Sequence, residues 1–341
     1  MIKIKMIKAQ LLLGFFILLG FNGCSRSPNE IDLLGQTMGT TYSIKIVSEE
    51  NIEEEKIQHD IDSILVSINK QMSTYINDSE INQFNAYQGS APFQLSPEFY
   101  QVVERAFYWT HLSDGAFDIA IMPLSAAWGF GPKRVSSSPS ELDIRSALKS
   151  SGYEQLILHL SGLQKLNPHV QLDVNAIAKG FGVDVVASYL SRVNISNYMV
   201  EIGGEVYCRG VNQKGEIWNI GIQSPNNVNR EFLGIVSLNN QAIATSGDYR
   251  NFYVSEGKTI SHVIDPRSGE TVTDVSSASV IADNCMDADA LATGLMVMGE
   301  EDGMKLVESL NGIEAMMVIR NDDGSYKEVM STGFKFTSVQ E

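Results

Sequence analysis

From Thr41 to Val47 the chain reads TYSIKIV, apolar and polar positions alternating, which predicts a half-buried strand. Ile57, Ile61, Ile64, Leu65, Ile68 and Met72 then recur at helical spacing. They predict an amphipathic helix, with Glu53–Glu55 near its start, where unpaired amides favour anions. Ser96-Pro97-Glu98 predicts a second helix ending before Gly115, with the serine as cap and the proline where no intrahelical donor is needed. Ser136-Ser137-Ser138-Pro139 predicts a surface loop, and Ser140 with Asp143 a capping box opening a short helix. Short β-like runs from Gln155 to Asp173, broken by Ser-Gly and Asn-Pro, predict a small meander, and Asn175 to Leu190 a helix. Residues 199–282 hold many strand-like runs, and the chain closes with two helical stretches and a hairpin. No internal repeat is present. Strands grouped apart from helices predict an α+β fold rather than a doubly wound one.

The first segment carries a different pattern. Lys3, Lys5 and Lys8 precede an apolar run from Leu11 to Phe21 that is short for a membrane span and reads as a secretory signal peptide. It ends at Phe21-Asn22-Gly23-Cys24, which resembles a bacterial lipobox with Cys24 as the acylated residue, although Phe21 stands where leucine is usual. The expected organisation is a signal peptide over 1–23, a lipid-anchored tether over 24–35 and one catalytic domain over 36–341.

Composition adds mainly exclusions. With 43% hydrophobic and 19% charged residues, the 341-residue chain is neither disordered nor low in complexity. Its 25 basic and 41 acidic side chains give −16, and removing the signal leaves 318 residues at −19. An acidic surface with no dense Lys/Arg run argues against nucleic acid as a partner. Cys208 and Cys285 stay open as a disulfide or as two buried thiols, and no CxxC or histidine cluster predicts structural zinc.

Candidate chemistry gathers in a few polar clusters. In CMDADALATGLMVMG, Asp289 and Thr293 lie four apart on one helical face, where a carboxylate and a hydroxyl are hard oxygen donors suited to Mg²⁺. The same spacing also fits a capping acid and a threonine bonded back to its own helix. Leu172 to Gly182, LDVNAIAKGFG, reads as a strand entering a helix through small residues. Backbone can approach an anion there, with Lys179 adding positive charge; a tight turn reads equally well. Gly203-Gly204-Glu205, Thr245 to Arg250, and Ser261 to Gly269 with its Asp-Pro turn resemble site loops. Tyr75, Phe117 and Trp128 either stack on a planar ring or pack in the core.

Taken in order, TMGTTYSI, MSTYINDSEINQFN, GAFDIAIMPLSAAWGFG, LDVNAIAKGFGVD, EIGGEVYCRG, IATSGDYRNF, SHVIDPRSG and MDADALATGLMVMG resemble the FAD:protein FMN transferases, the ApbE family of flavin-trafficking lipoproteins. The resemblance implies a fold of mixed or antiparallel sheets flanked by helices, with an FAD cleft between two closely joined subdomains. It implies an enzyme that takes FAD, splits its pyrophosphate with Mg²⁺, and attaches FMN by a phosphoester to a threonine or serine of an acceptor protein, releasing AMP. Such acceptors are subunits of membrane redox complexes. Met38, Tyr75, Ala116, Phe117 and Asp118 match positions lining the flavin and adenine pocket, Asp173 and Lys179 match FAD contacts, and Ile264 matches a further contact. The carbonyl of Ala176 with the side chains of Asp289 and Thr293 matches the metal site, and His262 the catalytic histidine, as base or as orienter of the phosphate. Glu205 and Arg250 fall inside family blocks without an assigned role. The expected location is the periplasmic face of the bacterial inner membrane. Two other readings stay open: an FAD pyrophosphatase giving FMN and AMP, and a non-catalytic flavin-binding lipoprotein.

Overall fold

The computed structural model describes residues 28–131, 138–225, 232–248, 252–255, 258–321 and 323–338. The signal segment, Cys24, Tyr249 and Arg250 lie outside the described residues.

The chain opens with β1 (Asn29–Thr37) and β2 (Thr40–Ser48), an antiparallel pair. The domain therefore begins earlier than the sequence suggested: residues 29–35, assigned to the tether, form most of β1. Leu33 pairs with Ile44 and is buried, so this segment has a core face to hold it. Helices α1 (Glu54–Met72), α2 (Glu80–Ala86) and α3 (Pro97–Leu112) follow. Ile57, Ile61, Leu65, Ile68 and Met72 of α1 are all buried as their spacing predicts, each worth about 1.5–3 kcal/mol when removed from water. Pro97 does open α3, yet the Ser96 side chain makes no cap bond and donates to Gln71 Oε1 at 3.1 Å instead.

Next come α4 (Met122–Ala127) and α5 (Glu141–Leu148), the latter opened by the predicted Ser140/Asp143 capping box. The meander expected over 155–173 is only a hairpin, β3 (Leu156–His159) and β4 (Gly162–Lys165). Beyond Lys165 the backbone bonds to a side chain rather than to a strand: Asn85 accepts from the Leu172 amide at 2.7 Å and donates to its carbonyl at 2.9 Å. Buried Lys165 donates to the Asn85, Tyr87 and Pro168 carbonyls, and burial pulls its pKa down to about 8.

Helix α6 (Ala178–Arg192) leads to β5 (Tyr198–Ile202), β6 (Glu205–Arg209), β7 (Trp218–Gln223), β8 (Phe232–Leu238), β9 (Gln241–Gly247), β10 (Phe252–Ser255), β11 (Lys258–Ser261) and β12 (Val275–Ala282). Helix α7 (Cys285–Ser309) is two helical stretches joined at Gly299, whose φ of +78° breaks the ladder, as the two terminal stretches in the sequence foretold. Strands β13 (Glu314–Arg320) and β14 (Tyr326–Met330) form the final hairpin, and β15 (Thr337–Ser338) pairs with β8.

The principal sheet runs β1-β2-β5-β6-β9-β12-β13-β14, and every neighbouring pair in it is antiparallel. Helices α1, α6 and α7 cover one face, and the small β15-β8-β7 sheet covers the other. Central strand β12 is buried throughout because it is covered on both sides. Ala278, Val280 and Ala282 join the helical core, while Ile281 joins the inter-sheet core. Cys208 and Cys285 are free and buried in separate clusters, so the disulfide reading drops out, and burial pushes both thiol pKa values up. No helix among the described residues is long and apolar enough to cross a membrane.

Candidate functional site

The site forms where the start of α6 meets the first half of α7. These helices approach closely at Gly180, where a Cβ would collide with the Cys285 carbonyl and lie 2.8 Å from Asp289 Cβ. The approach lets the Gly180 amide donate to Asp289 Oδ2 at 2.9 Å. One turn back lies Ala176, outside the helix, in the turn that enters α6.

Asp289 Oδ1 accepts from Lys179 Nζ at 3.2 Å, and the same ammonium reaches Glu205 Oε1 at 2.9 Å. The two carboxylates are 2% and 3% exposed and the lysine 27%. Burial works against the Lys179 charge, but Asp289 and Glu205 outweigh it and hold the ammonium firmly protonated. Thr293, one turn along α7 from Asp289, shares a hydroxyl hydrogen bond with Ser246 of β9 at 2.8 Å. The capping alternative drops out for Asp289, because Asn284 caps α7 by accepting from the Asp287 amide at 2.9 Å. Carboxylate, hydroxyl and carbonyl are all hard oxygens, so the donor set of Asp289, Thr293 and Ala176 fits Mg²⁺ chemistry. Among the described residues no group of three or more His, Cys, Asp and Glu is placed to hold a metal ion.

The other predicted residues fall into two sets. Met38 adopts a positive φ of 49° in the β1–β2 turn, beside a hollow of about 480 Å³ lined by Gln36 to Thr41. Its side chain crosses to α6, where a Cβ on Gly182 would lie 2.9 Å from Met38 Cε. Asp173 joins the loops, its amide donating to the Ile119 carbonyl at 2.8 Å and its carboxylate accepting from the Asn175 amide at 2.9 Å; burial raises its pKa. Tyr75 is 64% exposed, free to stack.

The second set is built into the core. Ala116 and Phe117 are buried in the helical cluster, and Phe117 lies against Gly294, next to Thr293. Asp118 accepts from the Ala120 and Tyr153 amides at 2.7 and 2.8 Å; burial raises its pKa to about 6, against the pull of those amides. Ile264 packs with Leu124, Trp128 and Ile144. Trp128 is core rather than a stacking platform, and its indole donates to the Gly269 carbonyl at 2.8 Å, pinning the Asp265-Pro266 turn. His262, just before that turn, is half-buried with its ring edge toward Phe130 at 6.3 Å between centroids.

Comparison with known proteins now decides the family. The ApbE family pattern matches residues 38–317. The chain belongs to the ApbE family. It is 43% identical to the FAD:protein FMN transferase of Vibrio cholerae, over 92% of this chain and 94% of that protein. It is 33% identical to the FAD:protein FMN transferase of Salmonella typhimurium, over 99% of each. Among solved structures, the flavin transferase ApbE from Vibrio cholerae superposes with a TM-score of 0.83 at 42% identity, covering 90% of this chain and 98% of that one. The apo flavinyl transferase ApbE of Pseudomonas stutzeri gives 0.82 at 35% identity, covering 90% and 96%.

Within this ApbE chain, three contributors carried no assignment from sequence. Ser246 stood inside a quoted block, but only strand pairing brings it to Thr293. Glu205 reaches Lys179 from a strand that follows it by 26 residues. Asp184 of α6 accepts from the Cys285 and Met286 amides at 2.8 and 2.9 Å, seating the start of α7; burial raises its pKa to about 7. An acid five residues after Lys179 on the same helix was the available signal.

Proposed function

We propose that this chain transfers the FMN half of FAD to a hydroxyl of an acceptor protein, the reaction for which its relatives are named. It is a transferase, with FAD as substrate and a flavoprotein as product. The observation that carries the reading is the juxtaposition of Asp289 and Thr293 on α7 with Lys179 and the Ala176 turn at the start of α6. A dinucleotide brings two negative phosphates to a protein of −16 net charge, so the site must supply its own positive charge.

Asp289, Thr293 and the Ala176 carbonyl are the residues that would hold Mg²⁺. Bound there, the ion would neutralise charge on the pyrophosphate and make the FMN-side phosphorus a better electrophile, with AMP as the leaving group. Lys179 contributes a fixed ammonium beside the same position. Met38 and exposed Tyr75 offer apolar and aromatic surface for the rings. His262 takes the proton of the attacking hydroxyl or orients the phosphate, and its transfer role predicts a specific phenotype. His262→Ala binds FAD normally and transfers about 10² to 10⁴ times more slowly.

The reading extends to location: Lys3 to Phe21 followed by Cys24 supports export and acylation, with the catalytic domain held outside the cytoplasm and its acceptor in a membrane redox complex. The decisive assay mixes the protein with FAD, Mg²⁺ and a candidate acceptor domain, denatures the mixture and looks for flavin fluorescence on the acceptor band. A labelled band supports transfer. Free FMN and AMP with no labelled band make it a pyrophosphatase, and intact bound FAD makes it a passive binder.

A further inference from the structure

We propose that Glu205 is a positioning residue: by sharing the Lys179 ammonium, it keeps Asp289 available to a divalent cation. The proposal rests on the cation reading given above. Lys179 Nζ lies 2.9 Å from Glu205 Oε1 and 3.2 Å from Asp289 Oδ1, so the ammonium is held between two carboxylates that are themselves almost fully buried. The arrangement is built by the fold. The Gly203-Gly204 turn, with the Gly204 amide donating to Glu201 Oε1 at 2.7 Å, starts β6 so that Glu205 faces the first turn of α6.

If Lys179 had only Asp289, that pair would be neutral, and a cation taking the carboxylate would strand the ammonium without a counter-charge. With Glu205 present, Lys179 keeps a partner when Asp289 turns to the cation. By holding the same ammonium, Glu205 also competes with pyrophosphate for Lys179 while no cation is bound. Glu205 therefore has opposite effects on the two ligands, which a residue serving only the fold would not.

The test uses the full-length protein and Mn²⁺ as probe, read by electron paramagnetic resonance without FAD, alongside FAD binding in EDTA read by flavin fluorescence. Glu205→Gln is expected to weaken Mn²⁺ binding about tenfold while metal-free FAD binding holds or tightens. Lys179→Gln, which removes the competitor and leaves both carboxylates, is expected to tighten Mn²⁺ and loosen FAD. Unchanged Mn²⁺ affinity in Glu205→Gln overturns the proposal, as does a parallel loss of both ligands, or weaker Mn²⁺ binding in Lys179→Gln. If wild type binds Mn²⁺ and Asp289→Asn does not, while Glu205→Gln matches wild type, only this inference falls. If wild type binds no Mn²⁺, the cation reading falls with it.

Discussion

Asp287 and Asp289 are two residues apart on the first turns of α7, equally buried, and put to different uses. Asp287 faces α3. Its carboxylate accepts from Arg105 Nε, from Arg105 Nη2 at 2.6 Å, from Trp109 Nε1 at 2.7 Å and from Asn284 Nδ2 at 2.7 Å. Arg105 in turn lies 4.1 Å over the Tyr108 ring. Asp289 faces α6, where one backbone amide and one shared ammonium serve it. The first carboxylate is saturated by donors that the packing of α3 holds in place, so nothing remains with which to bind a ligand. The second is held by a long flexible side chain, which on the proposed reading gives way to a stronger cation. Burial alone therefore does not distinguish the two acids; the replaceability of their partners does.

Breaking each side of this comparison should give different losses. Asp289→Ala should lower metal-dependent transfer about 10² to 10³-fold, as removal of a key electrostatic group does elsewhere, while circular dichroism stays native. Full metal-dependent labelling of the acceptor by this variant would sink the assignment. Asp287→Ala should instead cost about 3 kcal/mol in denaturant unfolding, because it leaves the indole N–H buried without its acceptor and Arg105 without its carboxylate. FAD affinity per folded molecule should hold. If Asp287→Ala abolished FAD binding with little change in stability, the division between the two acids would be wrong.

A third acid sharpens the contrast through pH. Asp184 is pushed up to about 7, chiefly by burial and against the pull of its two amide donors. Its pKa when folded lies above its unfolded value near 4, so the folded state holds the proton more tightly. The associated stability is present in full below about pH 4 and is lost as pH rises to about 7. Relative to Asp184→Asn, which cannot ionise, wild type should lose up to about 1.4 kcal/mol per pH unit across that window. Thermal unfolding of both proteins from pH 4 to 8 checks this, and parallel profiles would show that burial does not raise the Asp184 pKa in the way described.

Much of this was legible in the chain. The periodicity of α1, the Ser140/Asp143 box and the break between the two terminal helical stretches are short-range features, and the structure reproduces them. The expectation of mixed or antiparallel sheets resolves to antiparallel pairing throughout the principal sheet. The 155–173 meander failed because its β-like runs could not reveal that Asn85, 87 positions before Leu172, would take the backbone bonds of the second half. Ser96 failed as a cap because a tertiary partner, Gln71, outbid the local amide.

The site divides along the same line. That Asp289 and Thr293 share a face follows from the helical repeat, and the ordered blocks of residues point to the family. Sequence spacing is silent on partners drawn from other elements: Lys179 to Asp289 spans 110 residues, Ser246 to Thr293 spans 47, and Arg105 to Asp287 spans 182. Two aspartates two residues apart look alike in a string. They point about 200° apart around a helix, so packing against α3 on one side and α6 on the other determines which partners each one meets.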